Sequence, residues 1–542
     1  MAFKITAISS LEKVRELKDI RNEVSSVSLF RGETYSYQIV VQSDRRIRIK
    51  VIPETALAVK VYSVDNAVVD FPYIPQDIDS GYMTYECGVM PDILTPVELK
   101  ANNVTNTTGL ATFWIQVDVP EKVTAGDHNI KLHFEIKDLD DKLLANETHT
   151  LTATVSDDCL PTQELIFTQW LHTDCIATTH KCDVYSERHW DYIKKYIKVA
   201  QEIGINMIYT PVISPPLDTA VGAERPNVQL VKIEKTGDKY KFDFSLLERW
   251  IDISLECGIE YFEISHLFSQ GGAKYSPNIY GVENGEEKLI FGWHIEAKDE
   301  RYKNFLASLL PELTDVFCKR GLEDKVYFHI SDEPTDEHLE AYEYACSAVK
   351  PYIGKCRTFD ALSHYDFYER GLVENPVCNT LSIEPFIENK ADNLWAYYCC
   401  GGHLISNRFL AMPASRNRIM GLQMYKFGIK GFLHWGLNFY YSCGSLYEVN
   451  PYISTSTDRN FPSGDPFSVY PHETGPLKSM RALVFKESLQ DILICRMLEE
   501  KIGKDAVVKM IDDAAGYDLT FKKYPMDANF VPDLISKMKE MI

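Results

Sequence analysis

The segment Phe328-His329-Ile330-Ser331-Asp332-Glu333-Pro334 carries two consecutive carboxylates at the end of a β-prone run. Pro334 has no amide hydrogen, so it ends the hydrogen-bond ladder directly after them. Paired carboxylates in a sugar-sized pocket point to glycoside hydrolysis. An ordinary retaining enzyme holds its acid and nucleophile about 5 Å apart across the scissile bond, and an inverting one leaves a wider gap for water. Neighbours on one chain do not easily straddle a sugar that way. Adjacency suits substrate assistance better. A 2-acetamido oxygen attacks the anomeric carbon, Glu333 protonates the leaving oxygen, and Asp332 holds the acetamide N–H and stabilises the oxazolinium-like charge. The competing reading is a helix N-terminus, where acids favour the first turn.

Something must hold these acids at the mouth of a pocket. Eight strand candidates follow one another through the middle of the chain, separated by helical or loop segments: 167–172, 206–211, 261–266, 326–331, 356–360, 380–384, 394–398 and 431–435. That rhythm predicts a (β/α)₈ TIM-like barrel, whose functional groups sit at the C-terminal ends of its strands. The acid pair ends the fourth. Other strand ends supply candidate substrate-binding groups: His172 on the first, His266 on the third, Glu384 on the sixth, Trp395 and Tyr397 on the seventh, and His434, Trp435 and Asn438 at the eighth. Aromatic faces pack against sugar C–H surfaces, while imidazole, amide and carboxylate groups bind hydroxyls. Each His or Trp taken alone also fits a satisfied core position.

Ahead of the barrel, residues 1–160 read as an all-β unit. Phe113 to Val119 and Ile130 to Ile136 alternate apolar and polar residues with period two, separated by the turn Ala125-Gly126-Asp127. Short alternating runs between turns predict a β-sandwich. The expected division is therefore a β-sandwich over 1–160, a catalytic barrel over 161–500 and a helical extension over 501–542. Val228 to Phe244 alternates around Thr236-Gly237-Asp238 and predicts an inserted hairpin. Leu477 to Glu500 predicts a closing helix.

Composition narrows the partners. Across 542 residues, 57 basic and 78 acidic side chains leave a net charge of −21, which argues against nucleic acid as a partner. No run approaches the roughly 18 apolar residues of a membrane span. No signal peptide precedes the first strand, so a cytoplasmic location is expected unless a leader has been removed. The 13 cysteines have no repeating interval and form no CxxC, which fits reduced structural thiols rather than a zinc site. No metal or organic cofactor is implied, and the oligomeric state is left open.

The chain also resembles glycoside hydrolase family 123 and its relatives, which are β-N-acetylgalactosaminidases. The resemblance rests on Ser331-Asp332-Glu333-Pro334, on Arg31-Gly32-Glu33 with Gln38, and on Tyr397-Tyr398-Cys399-Cys400 followed by Asn407-Arg408. It continues through Gly428 to Tyr440, then Pro462-Ser463-Gly464-Asp465, Tyr470-Pro471 and Arg481. By that resemblance Asp332 is the acetamide-stabilising acid and Glu333 the acid/base. The implied substrate is a glycan or glycolipid-derived oligosaccharide with a terminal β-linked N-acetylgalactosamine (β-GalNAc), cleaved in an exo-acting, retaining reaction. Preference for N-acetylglucosamine, and a non-catalytic carbohydrate-binding barrel, are the alternatives.

Overall fold

The computed structural model describes residues 3–74, 79–101, 105–215, 219–220, 223–269 and 272–542. Eight strands form the N-terminal region. They are β1 (Lys4–Ser9), β2 (Ser26–Arg31), β3 (Thr34–Glu54), β4 (Ala58–Val69), β5 (Gly88–Pro96), β6 (Thr105–Asp118), β7 (Gly126–Lys137) and β8 (Leu143–Cys159). The expected alternation is present in β7, where Ile130, Leu132, Phe134 and Ile136 are buried. Hydrogen bonding joins the strands into one sheet, ordered β2-β8-β7-β3-β6-β4-β5 with β1 on β3. The 21-residue β3 links its halves. Its first part pairs with β1 and β6, its last part with β7, and its register shifts between Ser43 and Ile47. Side chains from both halves share one apolar core.

The other face of β6 explains how the sheet meets the rest of the chain. Phe113, Ile115 and Val117 face the sheet's own core, whereas Trp114 joins the cluster that surrounds the barrel strands. Both faces are therefore buried. Gln116, at 2% exposed, accepts from Lys478 at 3.5 Å.

The remaining strands begin with β9 (Ile166–Gln169), β10 (Met207–Thr210), β11 (Lys232–Thr236), β12 (Lys239–Asp243) and β13 (Tyr261–Ile264). Next come β14 (Ile279–Glu283), β15 (Glu286–Phe291), β16 (Val326–Phe328) and β17 (Arg357–Leu362). Then come β18 (Asn375–Asn379), β19 (Trp395–Tyr397) and β20 (Gly431–His434), followed by the short antiparallel pair β21 (Val469–Tyr470) and β22 (Leu477–Lys478). A closed parallel barrel runs β9-β10-β13-β16-β17-β18-β19-β20 and returns to β9. The predicted hairpin is β11–β12, and it joins β14 and β15 in a separate four-stranded sheet.

One strand is displaced from its predicted place. The sixth is β18, while 380–384 forms a turn and the start of the helix Glu384–Glu388. Pro376 masks β18 in the sequence because proline lacks a ladder donor. The ladder tolerates it opposite Asp360.

Alternate residues of the strands fill the barrel. The lower layer is aromatic: Tyr327 packs against Phe359 and Trp395 with ring centroids 5.3 and 5.6 Å apart. Gly431 leaves room for Trp395, whose ring would lie 2.2 Å from any Cβ placed there. Above that layer the inward positions become polar, with Thr168, Glu263 and His329 buried beside Tyr209 and Tyr397. This polar level lies directly below the strand ends.

The predicted closing helix spans Met480–Ile502 and packs between the barrel and the sheet. The helices Lys504–Ala515 and Phe530–Met541 lie against it through Val507, Ile511, Leu534 and Met538. Lys539 reaches back to Glu33 at 2.6 Å. Among the described residues, no helix is long and apolar enough to cross a membrane.

Candidate active site

Asp332 and Glu333 follow β16 at the C-terminal end of the barrel, and they diverge in environment. Asp332 is 6% exposed, whereas Glu333 is open to solvent. Glu333 has φ of +44°, a left-handed conformation uncommon outside glycine and disfavoured before proline. Its amide donates to the carbonyl of Ala361 at 3.0 Å, which holds the turn in place. The Tyr397 hydroxyl donates to Glu333 Oε1. Burial, aided by the Glu333 charge, keeps that phenol well above its ordinary pKa, so it remains a donor.

Beneath the pair lies a buried ionic chain. Glu263 accepts from Thr168 Oγ1 and Trp170 Nε1, both at 2.5 Å, and from His329 Nε2 at 2.6 Å. The other nitrogen of His329 donates to Asp360 Oδ1 at 3.2 Å. Burial disfavours an imidazolium here, but the hydrogen bonds and charges of Asp360 and Glu263 outweigh it and raise His329 to about 9. His266 stacks on His329 at 3.9 Å, and its burial holds it neutral. Tyr209 contacts His266 Nδ1 at 3.2 Å. Burial raises the Tyr209 phenol well above its usual value, and the Glu263 and Asp332 charges add to that. His266 Nε2 is buried with no hydrogen-bond partner among the described residues.

A stability consequence follows from His329. Its folded pKa lies above the ordinary 6.5, so its stabilisation is complete below about pH 6.5 and disappears as pH rises through about 9. The shift corresponds to an effect on the order of 3 kcal/mol. Urea unfolding at pH 6, 7.5 and 9.5 should show this decline, and His329→Gln should flatten it. An unchanged slope in the variant would assign the pH dependence elsewhere.

The predicted substrate contacts separate into groups. Tyr397 joins the acids, whereas His266 lies in the buried layer beneath them, stacked on His329. Trp435 lies at the mouth, 9% exposed, with Nε1 donating to Asp465 Oδ2 at 3.1 Å and its ring 4.7 Å from Phe461. His172 is buried and both its nitrogens are engaged: Nε2 donates to the Trp435 carbonyl at 2.9 Å, and Nδ1 accepts from Arg225 at 3.2 Å. Burial and the Arg225 charge push it down to about 4. Asn438 spends its amide on the His172 backbone, accepting from N at 2.9 Å and donating to O at 3.0 Å.

Three others sit away from the mouth. His434 turns out of the barrel to Arg408, 2.9 Å from Nδ1, and Asp465, 3.3 Å from Nε2. Trp395 belongs to the aromatic lower layer. Glu384 begins a helix after the displaced sixth strand and pairs with Lys522 at 2.9 Å.

A cavity of about 1030 Å³ contains neither acid. It lies between the four-stranded sheet and the helices Ser245–Glu256 and Glu300–Cys318. The strained, solvent-open carboxylate above a buried ionic chain marks the site better than volume does. Among the described residues, no cluster of three or more His, Cys, Asp or Glu is placed to hold a metal ion.

The glycoside hydrolase 123 catalytic-domain model matches residues 170–498, well over half of the chain and spanning both acids. The chain belongs to glycoside hydrolase family 123. A family 123 glycoside hydrolase from Clostridium perfringens, studied for glycolipid glycan hydrolysis, superposes with a TM-score of 0.74 at 15% identity. That match covers 100% of this chain and 97% of the other. A GH5 xyloglucanase from Bacteroides ovatus reaches a TM-score of only 0.29 at 9% identity, over 90% of this chain and 100% of that one, too low to bear on the fold. No curated protein sequence matches.

For a family 123 glycoside hydrolase, the Tyr397 hydroxyl has a direct test. A hydrogen bond to a charged group contributes about 1.5–3 kcal/mol. Tyr397→Phe should therefore lower kcat by about tenfold to a hundredfold with little change in melting temperature. An unaltered kcat would detach Tyr397 from the chemistry.

Proposed function

We propose that the protein is a retaining exo-β-N-acetylgalactosaminidase that uses the acetamido group of its substrate as nucleophile. The observation that carries this reading is the placement of both acids on one turn, the first buried and the second open to solvent and bonded to Tyr397. Asp332 holds the acetamide N–H and balances the positive charge that develops on the ring. The acetamide oxygen attacks the anomeric carbon as the bond to the leaving oxygen breaks, and the Glu333 proton passes to that oxygen. Water then opens the oxazolinium intermediate, returning its proton to Glu333 and restoring the β configuration. Glycolipid glycan hydrolysis by the Clostridium relative supports a glycan substrate, and the family resemblance points to terminal β-GalNAc as the group released. The Trp435 edge, 9% exposed, supplies a further contact to the sugar.

Release of nitrophenol from β-N-acetylgalactosaminide and β-N-acetylglucosaminide tests the substrate. Turnover of the first and not the second is expected. The reverse would make the enzyme a glucosaminidase, and neither would leave a binding protein. A thiazoline analogue of the cyclised acetamide should inhibit strongly, because it mimics the bicyclic intermediate. Trapping of a covalent sugar ester on either carboxylate would sink the mechanism.

A further inference from the structure

The β16–β17 ladder stops short of the acids. Backbone pairing ends at Phe328 with Thr358, and the chain then leaves β17. In place of backbone carbonyls, the Asp360 side chain takes the freed amides. Its carboxylate accepts Ile330 N at 3.0 and 3.2 Å and Ser331 N at 3.3 Å. The same carboxylate receives His329 Nδ1 at 3.2 Å and the Tyr342 hydroxyl. It is fully buried. A buried carboxylate with this many donors is held at a single orientation, and the backbone it grips is the segment directly before Asp332.

On the side away from β17, the His329 and Ile330 carbonyls accept from Leu267 N at 3.3 Å and Phe268 N at 3.1 Å, and two further bonds complete the hold. Ser331 Oγ donates to the Ser269 carbonyl at 3.0 Å, and Glu333 N to Ala361 O at 3.0 Å. Neither involves a charged group. On its far side, His329 is tied to Glu263 and through it to Trp170 at the end of β9. One chain of hydrogen bonds thus joins the wall of the pocket to the backbone that carries the acids.

We infer that Asp360 is a positioning residue, which substitutes for the missing ladder and, locked by His329, sets where Asp332 and Glu333 stand relative to the sugar. The inference rests on the proposed role of the acid pair. Asp360 does not touch substrate, so its removal should act on kcat through misplacement of the acids and leave ground-state binding nearly intact. Misplacement of about 1 Å can lower a rate on the order of 10²-fold.

The experiment compares Asp360→Ala, Asp360→Asn and His329→Gln with the wild type. It reads kcat and KM on an aryl glycoside that the wild type cleaves, thiazoline affinity, melting temperature, and amide hydrogen exchange over 329–334. Expected for Asp360→Ala are a roughly 100-fold loss in kcat with KM changed less than about threefold, and faster exchange at 330 and 331. Thiazoline affinity should fall in parallel with kcat/KM. Asp360→Asn keeps an acceptor for both amides and should recover part of the rate, while His329→Gln should fall between them. A lowered melting temperature with kcat within about twofold of wild type and unchanged exchange would reduce Asp360 to a packing role and overturn the inference.

Failure of the functional reading would look different. If the wild type cleaves only glycosides that lack a 2-acetamido group, or none, the acetamido mechanism falls. The exchange arm still decides whether Asp360 holds the segment: faster exchange supports it and unchanged exchange refutes it.

Discussion

Glu333→Gln is expected to lose about 10²–10⁴-fold in kcat on a natural β-linked N-acetylgalactosaminyl glycan and far less on a dinitrophenyl glycoside. A sugar alkoxide is a poor leaving group and needs a proton as the bond breaks, whereas dinitrophenolate departs without one. Glutamine keeps the shape of the side chain and an oxygen to accept from the Tyr397 hydroxyl, so the exposed turn should keep its geometry. Melting temperature should therefore barely move, and KM should remain close to wild type. Comparing kcat on the two substrates checks the assignment. Equal losses on both would remove Glu333 from the general-acid role.

The second large effect concerns stability. Arg481→Met should destabilise the protein by about 3–5 kcal/mol, the usual result of breaking a buried ion pair from one side. Arg481 Nε and Nη2 grip Asp92 of β5 at 2.9–3.1 Å, and Nη1 donates to the carbonyls of Gly464 and Phe467. The two side chains are 2% and 0% exposed, so Asp92 would be left as a buried carboxylate whose remaining side-chain hydrogen bond, among the described residues, comes from the Tyr470 hydroxyl at 2.6 Å. The pair joins the N-terminal sheet to the closing helix. Its loss should lower the melting temperature by several degrees and loosen both. Arg481→Met combined with Asp92→Leu should recover part of the loss, because an apolar pair leaves no unpaired charge. A single variant that melts within about a degree of wild type would show that this ion pair contributes little.

Arg481 also shows how the family resemblance divides. Its sequence matches outside the acid pair fall largely on ties that hold the fold together. Arg408 donates to Gln169, His434, Gly436 and Asp465, joining the loops after β9 and β20. Glu33 caps the turn at Phe30 with a bond of 2.9 Å and pairs with Lys539. Gln38 is completely buried and holds the backbone at Ser9 and Glu12. A sequence signature does not distinguish a residue that meets substrate from one that anchors a loop, because both need a fixed polar side chain in a fixed place.

The acid pair, seven of the eight barrel strands, the inserted hairpin and the closing helix were legible from residue pattern alone. Each depends on local information: period-two alternation, turn residues, or two acids before a proline. The strand-end polar groups were not resolved by pattern. His434 and Trp435 are neighbours with the same promise and both reach Asp465, yet His434 also meets Arg408 and is wholly buried, while Trp435 keeps an exposed edge. A one-residue step along a strand reverses the face, so parity must be known before a role can be assigned. Glu384 moved for a different reason, because Pro376 concealed where the sixth strand lies.

Tertiary structure alone decided the ionic chain under the site. Glu263, His329 and Asp360 come from three strands separated by dozens of residues, and only the parallel register of β13, β16 and β17 brings them within hydrogen-bond distance. A polar residue at an inward position of a barrel strand, as at Glu263, is the one local sign of such a network. The sequence by itself singled out the candidate acids and most of the elements that carry them. Their spacing, charge and orientation were decided by long-range packing, since buried charges are stable only where the fold supplies partners from elsewhere in the chain.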